Sequence, residues 1–246
     1  MPRYLVFTLH ASLAAFGGVA VGERRPGWDR PGRSAVFGLI AGALGIDRTE
    51  EAAHRALDRG YGLAIRTDAA GRMLADYHTA QVPPADRRRP RLPTRAAELA
   101  EAALETVLTR REYRTDALHL IALWERRDAP HTLEALAEAL RAPKYVPYVG
   151  RKSCPPALPL APQVIEADDA GAAFAARVAA APAPEQRLRR MLHATPGWVA
   201  MDAEDADPRH VQRVEQRRDR LASRARWQFA LRAEAILRAP PTGDGA

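Results

Sequence analysis

The chain has 246 residues, enough for one large domain or two small ones, and its 47% hydrophobic content indicates a globular protein with a sizeable core. A formal net charge of +7 favours an acidic partner, nucleic acid first, although all the basic residues except Lys144 and Lys152 are arginine. The lone Cys154 excludes a disulfide framework and any multi-cysteine metal site, which fits a reducing compartment.

The first half of the chain predicts strands alternating with helices. Near the start, Tyr4 and Val6 alternate with Leu5 and Phe7, which favours a strand over a signal peptide. No later stretch approaches the roughly 20 apolar residues that span a bilayer, so a cytoplasmic protein without membrane contact is expected. The predicted elements are a strand at 3–10, helices at 34–44 and 50–57, and a hairpin of strands 61–67 and 72–79 joined by a turn at 68–71.

The second half begins with a basic, proline-punctuated insertion and returns to the same alternation. Its predicted elements are a helix at 94–109, a strand at 114–125, a helix at 133–140 capped by Thr132, a loop or peripheral helix at 167–184, a charged connector or helix at 209–226 and a closing strand at 227–231. The order predicts an α+β, ferredoxin-like (RRM-like) fold with an antiparallel sheet and helices on one face. The core would comprise residues 1–82 and 111–246, and residues 83–110 would project as a thumb insertion.

Residues 143–155, here called the Pro/Tyr segment, are the most informative stretch of the sequence. They combine two tyrosines, several prolines, adjacent cations and a glycine, and the prolines exclude a helix or a central strand. A stiff backbone that exposes aromatic rings and cations suits the binding of unstacked bases and a phosphate chain. The alternative is a proline-rich surface turn.

Residues 23–34, the basic loop, carry four arginines, and Trp28 lies among them as a second stacking candidate. The loop leads to a helix that Ser34 is predicted to cap. Free N–H groups and the helix dipole attract phosphate to such an end, so Arg24, Arg25 and Arg33 are predicted phosphate contacts. A solvated loop is the alternative.

Signatures of other chemistries are weak or missing from the sequence. It contains no phosphate-loop motif and no paired histidine spacing, so no cofactor and no metal site are predicted. His78 is a candidate general acid or base in RNA cleavage, with Lys152 stabilising the phosphorane. The alternative is a histidine that forms a hydrogen bond at a strand end beside a core Tyr77.

The combined motifs resemble the Cas-five family of CRISPR-associated proteins, in the branch found in type I-E Cascade complexes. The resemblance covers residues 1 to about 160 and returns near the C-terminus. It rests on segments 4–7, 25–40, 44–46, 76–79, 111–113, 143–155 and 226–229.

The resemblance implies a repeat-associated (RAMP) RNA-binding fold with a projecting thumb. It implies a subunit that grips the 5′ handle of a CRISPR RNA, caps the CasC backbone and lies near the large subunit CasA, with target DNA reached only through the assembled complex. Another subunit would process the precursor RNA, so no catalytic residue is expected.

Roles for individual residues follow from the motifs and the resemblance together. Gly150 would let the backbone approach the sugar-phosphate chain closely. The residues predicted to contact RNA are Arg24, Arg25, Arg33, Ser34, His78, Tyr145, Tyr148, Gly150, Arg151, Lys152 and Ser153, and the thumb residues predicted to contact RNA and a neighbouring subunit are Arg87, Arg88, Arg89 and Arg91.

Two other functions stay open at the level of sequence. Type I-C relatives in the wider family cleave RNA, so one alternative is a metal-independent endoribonuclease that uses His78, Tyr77 and Lys152. The other is an assembly protein whose arginines contact only other subunits.

Overall fold

The computed structural model of the protein describes residues 1–84, 92–100 and 104–238. The strands within this part of the chain form one sheet in the order β6-β1-β5-β3-β7-β9-β8, and β2 and β4 pair with β5 outside that path. All pairings are antiparallel except the short one between β2 and β5. The strands are β1 (Arg3–Ala14), β2 (Arg24–Arg25), β3 (Tyr61–Ala69), β4 (Arg72–Val82), β5 (Glu105–Glu125), β6 (Gln163–Glu166), β7 (Trp198–Asp202), β8 (Val211–Ser223) and β9 (Gln228–Arg238).

Helices cover both faces of this sheet. Side chains of β1 alternate between the faces: Leu5 and Phe7 pack with α1, α2 and α4, whereas Tyr4 and Val6 pack with α5 around Phe174. The prediction of helices on one face therefore holds for α1, α2 and α4, whereas α5 covers the opposite face. The helices are α1 (Arg33–Leu44), α2 (Glu51–Gly60), α3 (Arg95–Leu99), α4 (Leu133–Arg141), α5 (Ala170–Ala179) and α6 (Ala183–Met191), with a 3-10 turn at Pro208–His210.

The hairpin predicted between residues 61–67 and 72–79 is wrong. β3 pairs with the second half of β5, and β4 continues in the same direction along the first half, from Arg72 opposite Thr115 to Val82 opposite Glu105. β4 and residues 105–115 of β5 thus form an arm, and the short β2 pairs with the same stretch of β5 at Arg110 and Arg111. The helix predicted at 94–109 shrinks to α3, because residues 105–109 join β5 instead.

The thumb arginines lie outside the residues that the structure describes, since Arg87, Arg88, Arg89 and Arg91 all fall within 85–91. Their roles remain predictions, as does the division of the chain at residues 83 and 110.

The C-terminal region is a strand hairpin where a charged connector or helix was predicted. β8 and β9 pair along their length and place β8 at one edge of the sheet. The inward positions of both strands carry opposite charges two residues apart, Arg217 with Asp219 and Arg232 with Glu234, and all four side chains are buried. The hairpin is therefore held to the core by ion pairs as well as by apolar contacts.

Candidate nucleic-acid interface

A cleft of about 900 Å³ lies between α1, the Pro/Tyr segment, residues 15–19 and the turn that joins β8 to β9. Its lining includes Ser34, Tyr145, Tyr148, Gly150 and Lys152 from the predicted set. It also includes residues that were not predicted to contact RNA, namely Arg48, Arg218, Arg224, Trp227 and Phe229. Four cations and several aromatic rings therefore share one concave surface.

Backbone hydrogen bonds hold the Pro/Tyr segment in place. The N–H of Tyr145 donates to the Gly42 carbonyl at 3.1 Å, which ties the segment to the last turn of α1. The N–H of Ala15 donates to the Val149 carbonyl at 3.0 Å. Gly150 has a φ of 89°, and a Cβ at this position would overlap the Ala15 carbonyl, so only glycine fits here.

The adjacent cations Arg151 and Lys152 have different surroundings. Lys152 is exposed and lines the cleft, with Tyr148 41% exposed in the same lining. Arg151 instead packs over the ring of Tyr113 on β5, 4.7 Å from its centroid. Ser153 is exposed beside Cys154 and is not part of the lining. The structure thus separates Arg151 and Ser153 from the group with which they were predicted to act.

The prediction of a phosphate contact at Arg33 is wrong. Its side chain is fully buried, with Nε 2.9 Å from Asp58 Oδ1 and one terminal nitrogen 2.8 Å from Asp202 Oδ2. The cap of α1 is Gly32 rather than Ser34, and the Arg33 N–H donates to Asp219 at 2.8 Å. A carboxylate of the protein itself therefore occupies the helix end where phosphate was expected, while Ser34 turns toward the cleft.

Arg33 belongs to a buried network of ion pairs that fixes the β8–β9 hairpin against α1 and β7. Burial alone raises the pKa of the Asp219 carboxyl, but hydrogen bonds from Arg232 and from the Arg33 N–H outweigh this effect and lower it. Arg217 lies over the Trp28 ring at 4.0 Å, so that face of the indole is not free for a base. The network members, each no more than 6% exposed, are Arg30, Arg33, Arg217, Arg232, Asp58, Asp202, Asp219 and Glu234.

Arg24 and Arg25 lie away from the cleft, at the base of the arm. They form β2, which places them opposite Arg110 and Arg111 of β5. Glu112 bridges this group, since one of its oxygens accepts from Arg24 at 3.1 Å and the other from the Gly27 N–H at 2.9 Å. The hydrogen bond from Gly27, with smaller contributions from Arg24, holds the pKa of the Glu112 carboxyl below its ordinary value.

The acid–base candidates lie on the arm. His78 faces solvent on β4 and contacts Asp76, and Tyr77 is 65% exposed rather than part of the core. Neither residue lines the cleft that contains Lys152. The structure therefore does not bring the three proposed nuclease residues into one pocket.

One acidic group of the described residues has the spacing of metal ligands, Asp202, Glu204 and Asp205. The Arg126 guanidinium lies among its three carboxylates, at 3.2, 2.9 and 2.5 Å respectively. A cation of the chain thus already compensates this negative charge.

The turn between β8 and β9 supplies the part of the cleft that sequence analysis missed. Trp227 adopts a positive φ of 55° there and is 45% exposed. The guanidinium carbons of Arg48 and Arg224 lie 4.4 and 4.3 Å from its ring centroid, and Phe229 packs edge-on at 5.7 Å. Little in the sequence indicated this group, because Arg48 is distant in sequence from Arg224 and Trp227.

Within the described part of the chain, no helix is both long enough and apolar enough to cross a membrane.

Comparisons with known proteins place these features in a family. The model of the family described as CRISPR-associated protein (Cas_Cas5) matches residues 4–233. The CRISPR system Cascade subunit CasD of Escherichia coli (strain K12) is 32% identical over 177 residues, covering 69% of this chain and 74% of the relative.

Two solved structures share the fold. A chain of a CRISPR RNA-guided surveillance complex superposes with a TM-score of 0.59 at 21% identity, covering 98% of this chain and 95% of the other. A Cas protein crystal structure gives 0.56 at 24% identity, covering 98% and 100%. They confirm the predicted ferredoxin-like α+β class, and the family match confirms the resemblance: the chain belongs to the Cas5 family of CRISPR-associated proteins.

Proposed function

We propose that the protein is a non-catalytic subunit of a type I-E CRISPR surveillance complex and that it binds the 5′ handle of the CRISPR RNA in the cleft. The observation that carries this proposal is the composition of the cleft: four cations and exposed aromatic rings line one concave surface that includes the Pro/Tyr segment. The similarity to a Cascade subunit supports the assignment to such a complex.

The cleft has the chemistry that single-stranded RNA requires. Tyr145 and Tyr148 are about half exposed and offer ring faces for unstacked bases. Lys152 and Arg218 are exposed cations that bind phosphate oxygens. Affinity would then come largely from phosphate contacts and fall as salt rises, whereas base contacts would supply specificity.

The base of the arm is a second contact in this proposal. Like charges directly across strands destabilise a sheet, and the pairings of Arg24 with Arg110 and of Arg25 with Arg111 create two such contacts beside one buried carboxylate, Glu112. A phosphate chain would relieve this repulsion. Arg87, Arg88, Arg89 and Arg91 are proposed to contact the RNA and the neighbouring backbone subunit.

The proposed partners follow from the same assignment. The chain would cap the CasC backbone in the cytoplasm and lie near the large subunit CasA, and it would meet target DNA only within the assembled complex. Binding rather than cleavage is proposed because His78 and Lys152 line different surfaces.

One experiment tests the binding function against the nuclease alternative. The purified full chain is incubated in EDTA with labelled repeat RNA, and retained complex and cleavage products are both measured. Retention of intact RNA that is lost when the handle is scrambled supports the proposal. Site-specific cleavage that His78→Ala abolishes would replace it with the endoribonuclease function. If the RNA is neither retained nor cleaved, and the chain still binds CasC after nuclease treatment, the assembly-protein function is favoured.

A further inference from the structure

Arg48 and Arg224 form an unusual pair at one end of the cleft, because both contact the same indole. Their guanidinium carbons lie 4.4 and 4.3 Å from the Trp227 ring centroid. The two positive charges are therefore less than about 9 Å apart, comparable to the Debye length of about 8 to 10 Å at ordinary salt, so screening leaves part of their repulsion.

No carboxylate of the described residues forms an ion pair with either guanidinium. Glu51 is close to Arg224, but one of its oxygens accepts from the backbone N–H groups of Arg224 and Ala225 at 2.7 and 2.9 Å. Its other oxygen accepts from the Arg55 guanidinium. Asp47 next to Arg48 accepts instead from Thr49. The arginines of the buried network, by contrast, all form ion pairs with carboxylates.

Arg224 is the more constrained of the two. Its side chain is half-buried, and its Nε atom is buried without a hydrogen-bond partner. Burial, and to a smaller extent the charge of Arg48, lower the pKa of its guanidinium. The like charges of Arg48 and Arg224 are unbalanced, and one anion in the cleft would relieve their repulsion.

The turn that carries Arg224 is anchored before any ligand arrives. Glu51, the first residue of α2, anchors the β8–β9 turn through its two backbone hydrogen bonds. The Trp227 ring contacts both guanidinium groups, and the planar fork of arginine suits binding of phosphate oxygens through its terminal N–H groups. Tyr148 lines the same cleft as Arg224, which links this end of the cleft to the Pro/Tyr segment.

We propose that Arg48 and Arg224, which both contact the Trp227 ring, form a subsite for one phosphodiester of the bound RNA strand. The inference rests on the proposed function, since the strand is the one that the cleft would hold. A phosphodiester has two non-bridging oxygens and a single negative charge, so each guanidinium can bind one oxygen. Trp227 acts as a positioning residue here rather than as a stacking platform.

The test combines protein variants with RNA that lacks one charge. A neutral methylphosphonate linkage is introduced at each position of the handle in turn, and affinity is measured for the full-length wild type, Arg48→Ala and Arg224→Ala. Arg190→Ala, an exposed arginine on α6, is the matched control. One linkage is expected to weaken binding to wild type and control by roughly three- to tenfold and to have a smaller effect in Arg48→Ala and in Arg224→Ala, because each variant keeps only one of the two guanidinium groups. In each of these two variants the salt slope should fall by less than about 0.7, the value for loss of one whole phosphate contact.

The outcomes separate this inference from the proposed function. If RNA binds but every linkage weakens Arg48→Ala and wild type equally, the subsite is wrong and the RNA-binding function stands. If the wild type binds no RNA, inorganic phosphate is titrated instead while the indole N–H resonance of Trp227, assigned with Trp227→Phe, is followed by NMR. A saturable shift that Arg48→Ala abolishes would support the phosphate subsite alone, and no shift would overturn it.

Discussion

The arginines of the buried network and those of the cleft have the same side chain and opposite surroundings. Arg33 and Arg232 are almost completely buried and each binds two or more carboxylates. Arg48 and Arg224 lie at the cleft and form no ion pair within the described residues. In a chain this rich in arginine, the informative residues are those without a carboxylate partner, because their charge remains available for a ligand.

The two sets are also mechanically connected. Arg217 points inward from β8 to Glu234 and Trp28, while its neighbour Arg218 is exposed in the cleft lining. Arg33 and Ser34 divide in the same way at the start of α1. The ion pairs therefore hold the hairpin that presents the cleft cations, and the comparison can be tested by disrupting either set alone.

The largest effect is expected from Arg33→Ala. Removal of one partner leaves the buried carboxylates of Asp58 and Asp202 with less compensation, which costs about 3–5 kcal/mol. Urea unfolding should show this loss, whereas RNA affinity of the folded protein should change little. The neighbouring Ser34→Ala is the control, expected to change stability by less than about 0.5 kcal/mol. If Arg33→Ala is stable but no longer binds RNA, Arg33 contacts RNA as the sequence predicted.

Gly150→Ala should have the next largest effect, because it combines a positive φ with a steric overlap. The left-handed conformation costs a non-glycine residue about 1–2 kcal/mol, and the new Cβ would also displace the Ala15 carbonyl. We expect a total loss of about 2–4 kcal/mol by urea unfolding, together with weaker RNA binding.

Gly22→Ala is the matched control for that substitution. Gly22 has a similar φ of 83°, but a Cβ there meets nothing within 4 Å. It should therefore lose only the conformational part, about 1–2 kcal/mol. Equal losses for the two variants would mean that the contact with Ala15 does not hold the Pro/Tyr segment.

His119 predicts a pH dependence that arises from the core. Burial lowers its pKa to about 4, against about 6.5 in the unfolded chain. Between these values the unfolded state binds more protons, so stability falls as the pH drops from 6.5 toward 4. From pH 7 to pH 5 the loss from this residue should be about 2 kcal/mol.

Urea unfolding at pH 7 and pH 5 measures this effect. His119→Gln should reduce the difference between the two pH values by about 2 kcal/mol, whatever it does to stability at pH 7. His78→Gln removes an exposed histidine of the arm and controls for the loss of one imidazole. An unchanged pH difference in His119→Gln would mean that other groups, such as His10, whose pKa burial also lowers, dominate.

The sequence predicted elements whose pattern is apolar and missed those whose pattern is charged. β1, α1 and β3 were found because alternating or helically spaced apolar residues mark them. β8 was predicted as a charged connector or helix because its inward positions are Arg217 and Asp219, which carry no hydrophobic signal. Opposite charges at positions i and i+2, repeated as Arg232 and Glu234 in β9, were the signal available.

The site was predicted by segment rather than by residue. The Pro/Tyr segment does line the cleft, yet sequence alone does not show which of two neighbours faces it, as Arg33 and Ser34 illustrate. Arg48 and Trp227 meet only because the β8–β9 turn folds against α2 through Glu51. No local pattern encodes a contact between residues so far apart in the chain.

The smallest effect, and the sharpest test of neighbouring cations, is expected at Arg151 and Lys152. Lys152→Ala should lower the slope of log affinity against log salt by about 0.7 for single-stranded RNA, because one phosphate contact is lost, and should leave stability unchanged. Arg151→Ala should leave that slope unchanged and cost about 0.5–1 kcal/mol through the lost contact with Tyr113. RNA titrations at several salt concentrations and urea unfolding measure both effects. A lower salt slope in Arg151→Ala alone would show that bound RNA draws Arg151 away from Tyr113 and into the cleft, because the two cations would then have exchanged roles.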